Sequence, residues 1–369
     1  MSKNNVTYKL GELFCGPGGF ALGAKEASVE NNGATYQIEH TWATDHDLSS
    51  CETFRRNICP HAPDKVICTD VKKLDLARLK KVNAFAYGFP CNDFSVVGEK
   101  KGLKGHFGPL YMYGVKVLDL FRPDWFFAEN VGGLRSTDEG RLFTRILHDL
   151  RNAGPQYRLT THLYKFEDYG VPQNRHRIII IGIKRKLGLE YKIPAPTHLN
   201  KHVAVKRVLE DIPADTPNQE ITRQSQTVIE RLKCIKPGEN AWNANIPNEL
   251  RLNVKSARLS QIYRRLDPNR PSYTITGSGG GGTHGYHWQE NRALTNRERA
   301  RIQTFPDFFV FEGTKESVRC QIGMAIPPLA ARVILEAVLK TMAGIEYPYI
   351  ESKWDEKRKE KIELSELFG

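Results

Sequence analysis

What most constrains this chain is a series of short apolar runs that alternate with helix-length stretches over its first 183 residues. Leu10–Phe14 is the first run, followed by Gly-Pro-Gly-Gly and a helical pattern through Phe20, Leu22 and Ala27. His40–Thr44, Lys65–Cys68, Ala84–Gly88, Trp125–Glu129 and Ile178–Ile183 read as further strands, with helices near Leu110–Leu120 and Gly140–Asn152. Strands separated by helices predict an α/β fold, a mostly parallel sheet covered by helices on both faces. Ligands of such sheets bind at the carboxyl ends of the strands, so residues just past each run are the candidates for chemistry.

The texture changes at about residue 184. Prolines, scattered charges and irregular apolar runs continue to 289, passing through Gly-Ser-Gly-Gly-Gly-Gly at 277–282. This predicts four segments: a catalytic and cofactor-binding domain (1–183), a smaller irregular domain (184–289), a return to the first domain (290–345), and a C-terminal surface helix (346–369). An apolar helix is expected through Leu329, Val333 and Leu339. The net charge is +12, and residues 171–270 hold 19 Lys and Arg against 9 Asp and Glu. A localised basic surface suits a polyphosphate partner, because each neutralised phosphate releases counterions; a solvated basic face fits the same count. No apolar run approaches the roughly 18–20 residues of a membrane span, and no secretory leader is evident, so a cytoplasmic location is expected. The seven cysteines form no CxxC pair, so neither a zinc site nor a disulfide framework is expected.

Phe14-Cys15-Gly16-Pro17-Gly18-Gly19-Phe20 links the first strand to a helix, where glycines allow a sharp turn and close approach of a cofactor. It is not a full GxGxxG, so a dinucleotide is not required. Asp45 and Asp70 end the second and third strands, where a carboxylate either binds a ligand's hydroxyl or amino group or caps a helix. Gly88-Phe89-Pro90-Cys91-Asn92-Asp93-Phe94-Ser95 puts a thiol just past a buried strand, ahead of a glycine-rich loop suited to closing over a site. Most cysteines are inert, and Cys91 alone does not settle its role. Glu129-Asn130-Val131 ends the next strand on the same sheet edge, and Gln173-Asn174-Arg175-His176-Arg177 leads into Ile178, with Arg175 and Arg177 expected on one face.

In this order the segments resemble the DNA cytosine-5 methyltransferase family of bacterial restriction-modification systems. The resemblance rests on FxGxGG, GFPC with a downstream FS, ENV, QxRxR, Arg292-Ala-Leu-Thr295 with Arg297-Glu298, Gln303-Thr-Phe-Pro306-Asp307, and Gln321-Ile-Gly323 with Pro327-Pro328. It implies a Rossmann-like S-adenosylmethionine-dependent methyltransferase domain plus a target-recognition domain. Cys91 would add to cytosine C6, Glu129 would hold N3 and the exocyclic amine, and Arg177 would hold the base through O2. Arg175, counted with the catalytic set, would orient its neighbours. S-adenosylmethionine would lie along Phe14, Gly16, Gly18, Gly19 and Phe20, with Asp45 on the ribose, His46 stacked on adenine, Asp70 at the adenine amine, and Pro90 and Gly323 flanking. Asn92, Ser95 and Gln173 would meet double-stranded DNA, the target base having swung out of the helix.

Three positions depart from the family pattern: Asn92 for a glutamine, Met324 for an asparagine, and His106-Phe107-Gly108 for an acidic, arginine-bearing segment. The resemblance further implies a monomer and a cognate restriction endonuclease acting on the same site. RNA methylation, as in one branch of the family, is the nearest alternative, though that branch's Cys-Phe-Thr is absent here. A non-catalytic DNA-binding relative is the next alternative. A nicotinamide-dependent enzyme explains neither Cys91 nor the basic region.

Overall fold

The computed structural model describes residues 5–89, 110–131, 141–252, 260–279 and 282–352. Its centre is an eight-stranded mixed sheet. β1 (Val6–Leu13) lies between β3 (Ala34–Asp45) and β5 (Ala84–Gly88), all parallel, and β6 (Trp125–Val131) extends the parallel set beyond β5. β4 (Val66–Cys68) pairs parallel with β3, while β2 (Ser28–Asn31) forms an antiparallel hairpin with it. β8 (His176–Lys184) runs antiparallel between β6 and β7 (Tyr157–Lys165). Expected strands are present, mostly longer than expected. Ala84–Gly88 has the predicted bounds, and β2 and β7 are additional.

The apolar sequence of β8, with Ile178 to Ile183 buried throughout, reflects a strand covered on both faces. One face packs against α1 (Gly19–Glu26) and α9 (Pro328–Ala343), with Leu10, Phe127, Ile179 and Ile334 in that core. The other packs against α3 (Tyr111–Phe121) and α4 (Arg141–Asn152), through Phe85, Phe126, Leu118 and Ile146. α9 begins with proline at its first turn and stops at Gly344 in the left-handed region, the expected start and stop chemistry. The helical stretch 315–343 is apolar and long enough to cross a membrane, but its apolar 18-residue segment is 67% buried inside the protein. It is also interrupted between α8 (Lys315–Met324) and α9.

A third core joins α2 (Leu48–Asn57), α7 (Asn296–Ile302) and α8. α7 is fixed at its start by a capping box between Thr295 and Glu298. Residues between 228 and 293 carry a small core of their own, around Leu232, Ile235, Ile262 and Tyr286. The change of texture at 184 is not a packing boundary. Tyr191 and Ile193 belong to the α1–α9 core, and β9 (Ile193–Pro194) pairs with β10 (Tyr349–Ile350). Val205 and Leu209 belong to the third core. Of the expected C-terminal helix at 346–369, residues 346–348 are irregular, Tyr349 and Ile350 form β10, Glu351 and Ser352 are non-helical, and 353–369 lie outside the described residues.

Candidate active site

The carboxyl ends of β1, β3, β5 and β6 open into one cavity of about 550 Å³. The chain leaves β1 with Phe14 and Gly16 at positive φ and enters α1 through Gly18 at φ 98°. Gly16 faces open space: a Cβ there would meet nothing within 4 Å. Gly19 is needed for packing, because its Cβ would lie 2.3 Å from the Ile326 carbonyl oxygen. Phe14, Gly16, Gly19 and Phe20 line the cavity; Gly18 instead packs against Ile58.

Asp45, at the end of β3, holds the loops that follow β1 and β3 together. Its Oδ2 accepts from Gly16 N at 2.9 Å and its Oδ1 from Asp47 N at 3.0 Å, with His46 Nδ1 at 3.3 Å. Burial pushes this carboxyl up, but the bonds from His46, Asp47 and Gly16 outweigh it and hold it below its ordinary value. His46 is correspondingly raised, first by the Asp45 bond. Its ring is largely exposed at the cavity edge, available for stacking. Asp70 stays outside the lining: it is exposed and caps a 3-10 turn by accepting from Lys72 N at 2.9 Å. Gly323 is also outside, since a Cβ there would fall 2.0 Å from Gly277 N.

At the other end of the cavity, Gly88 of β5 pairs in register with Glu129 of β6, and a Cβ on Gly88 would sit 3.3 Å from Glu129 Oε2. On β8, Arg177 lies opposite Val131, diagonal to Glu129 across the antiparallel ladder. Its Nε meets Glu129 Oε1 at 2.9 Å, with side chains 14% and 15% exposed. The adjacent Asn130 is buried and donates to Phe89 O at 3.1 Å, tying β6 to the residue two before Cys91. Pro90, Cys91, Asn92 and Ser95 lie outside the described residues.

Two expected site residues turn away. Arg175 precedes β8, so strand alternation does not place it beside Arg177. It is 1% exposed and donates to Ile275 O at 3.1 Å and Gly323 O at 2.9 Å. Burial and the nearby Arg177 push its pKa down. Gln173, expected at DNA, is 0% exposed; its amide donates to Gln303 Oε1 at 2.9 Å and its oxygen accepts from Ile275 N at 2.8 Å. Both hold the 272–276 segment onto the sheet and touch neither the cavity nor the surface. Sequence reasoning missed Glu12, a buried cavity-lining carboxylate with His40 Nε2 at 2.9 Å. Burial, opposed by His40, raises its pKa. No local pattern marks Glu12, because its partner lies 28 residues away.

Comparison with known proteins accounts for this arrangement. A family model described as C-5 cytosine-specific DNA methylase matches residues 8–340. The Type II methyltransferase M.BbvI of Brevibacillus brevis is 59% identical over 357 residues, covering 95% of this chain and 96% of that protein. M.NgoFVII of Neisseria gonorrhoeae is 36% identical over 340 residues, covering 90% and 86%. A solved Escherichia coli prophage protein described as a DNA modification methyltransferase shares the fold with a TM-score of 0.70 at 22% identity, covering 92% of this chain and 99% of that one. The S. pombe Dnmt2 methyltransferase shares it with a TM-score of 0.60 at 15% identity, covering 91% and 98%. The chain belongs to the C-5 cytosine-specific DNA methylase family, whose members transfer a methyl group from S-adenosylmethionine to carbon 5 of cytosine in DNA.

Proposed function

We propose that this cytosine-5 DNA methyltransferase works by a covalent route, with Cys91 as nucleophile and the Glu129–Arg177 pair as the clamp on the target base. The observation carrying this reading is that pair, 2.9 Å apart beside Gly88 at the end of the cavity, three residues in sequence from Cys91.

The cavity fits S-adenosylmethionine: its volume suits a ligand of that size, Gly16 leaves open space for it, and Asp45 keeps an ionised carboxylate where a ribose diol can donate. Phe14, Gly16, Gly19, Phe20, Asp45 and His46 would hold it, while Asp70 lies outside the lining. When bound, it supplies an electrophilic methyl group on a sulfonium. Gly18 and Gly323 act one step back, by shaping the helix start and the α8 wall.

Cytosine C5 is a weak nucleophile, which is why a covalent route is favoured. The Cys91 thiolate forms a bond to C6, and the ring electrons move to C5, which accepts the methyl group. Glu129 holds N3 and the exocyclic amine as negative charge builds on the ring, and Arg177 holds O2 while fixing Glu129. Loss of the C5 proton then expels the thiolate and restores aromaticity. Because C5 is inaccessible within stacked duplex DNA, the base leaves the helix at a cost of a few kcal/mol.

The 184–289 region, which carries a small core of its own only from residue 228 onward, is the proposed recognition unit. A cleft of about 560 Å³ lined by Lys201, His202, Arg264 and Arg270 is suited to a phosphate backbone. Asn92 and Ser95 are proposed DNA contacts; Gln173 is not. The proposed enzyme is a cytoplasmic monomer paired with an endonuclease that cuts the same site, and its likeness to Type II methyltransferases supports the endonuclease part of that reading. Bisulfite mapping of DNA from cells expressing the protein tests the function, with methylated cytosine expected at one short recurring sequence. Methylation of transfer RNA but not duplex DNA in side-by-side assays would overturn it.

A further inference from the structure

The cavity is lopsided in charge. Glu12, Asp45, Asp47, Glu129 and Glu316 line it, and Arg319 on α8 is the one lysine or arginine among the described residues that does. Glu12 is committed to His40 and Glu129 to Arg177, whereas Arg319 has no ion pair among the described residues. Its Nη2 donates to Gly279 O at 3.3 Å, and its Nε is buried with no hydrogen-bond partner. Gly279 is pressed against the guanidinium, since a Cβ there would come within 2.6 Å of Nε. Arg299 lies close enough to add to the positive potential at this corner, and His284, its pKa pushed down first by burial and then by Arg319 and Arg299, favours its neutral form.

Arg319 is half-buried, and a buried N–H without a partner on an unpaired guanidinium is costly, a cost that an incoming anion relieves. The methyl donor has three charged groups. The wall carboxylates suit its sulfonium and ammonium cations but repel its carboxylate. Met324, next on the same wall, brings no side-chain donor. A DNA phosphodiester placed here would face the same five carboxylates without the two cations that balance them.

We propose that Arg319 binds the α-carboxylate of the donor's methionine end, and so selects ligands that carry the amino-acid tail. This rests on the donor occupying the cavity. The test is calorimetric titration of the whole protein with S-adenosylhomocysteine, which keeps that tail, and with 5′-methylthioadenosine, which lacks it. Arg319→Met should weaken S-adenosylhomocysteine about tenfold or more and leave 5′-methylthioadenosine within about twofold, and Arg319→Lys should recover part of the loss. Gly279→Ala, which displaces the guanidinium, should give the same selective loss. Unchanged S-adenosylhomocysteine affinity, or equal weakening of both ligands, would overturn the assignment. Loss of duplex DNA affinity with ligand affinity intact would overturn it in favour of a phosphate contact. A wild-type protein that binds neither nucleoside would remove the donor site itself, and Arg319's role with it.

Discussion

Arg175 and Arg177 stand two residues apart, yet they belong to different regions with different tasks. Arg177 lies on the sheet, pairs with the cavity-lining carboxylate of Glu129, and leaves 14% of its side chain exposed. Arg175 lies just before the strand, faces the Ile275 and Gly323 carbonyls, and is cut off from solvent. The first region is a charge pair left open on one side, which a substrate can complete. The second is closed, its guanidinium used to join the sheet to the 272–276 segment and the end of α8. The partner, more than the residue type, sets which arginine is proposed for chemistry and which holds the fold.

Five substitutions break or sharpen this contrast. The largest effect is expected at the open region: Glu129→Gln or Arg177→Met should lower methyl transfer about 100-fold or more, while unfolding free energy changes by about 1 kcal/mol or less. Single-turnover kinetics and urea unfolding read the two quantities, and a stability loss matching the rate loss would erase the distinction. Arg175→Met should do the reverse, costing about 3 kcal/mol by leaving buried carbonyls unpartnered; a variant as stable as wild type would show the knot to be dispensable. Gln173→Leu removes two buried bonds of the same knot and should cost about 2 kcal/mol. A fall in duplex affinity without a fall in stability would return Gln173 to the DNA.

The smallest effect is at Asp45. Its carboxyl is depressed in the folded protein, so its stabilisation is fully present above the ordinary value of 3.8 and is lost as pH falls through the lower folded value. At neutral pH Asp45→Asn should cost about 1 kcal/mol, a gap that closes below pH 3.8. A gap that persists in acid would mean the carboxylate charge is not what holds the two loops.

Much of this was legible in the sequence because it is local. The apolar runs marked β1, β3, β4, β5 and β6 and the antiparallel β8, and Asp45, His46 and Glu129 do line the cavity, with Arg177 paired to Glu129. β2 was missed although Asn32-Gly33, a hairpin signal, lies at its turn with both residues at positive φ. β7 was missed because its apolar positions alternate with Arg158, His162 and Lys165. What stayed hidden was long-range. Gln173 reads as an exposed polar residue until its partners, 130 and 102 residues away, are in place. Glu12 and Arg319 likewise take their meaning from neighbours on other elements.

The central claim is tested most directly with duplex DNA carrying 5-fluorocytosine at the target position, incubated with the protein and S-adenosylmethionine. Fluorine cannot leave C5 as the proton does, so a covalent complex should accumulate, and peptide mapping should find the modified base on Cys91. Confirmed methylation of ordinary DNA with no trapped complex, or a linkage to another residue, would contradict the account.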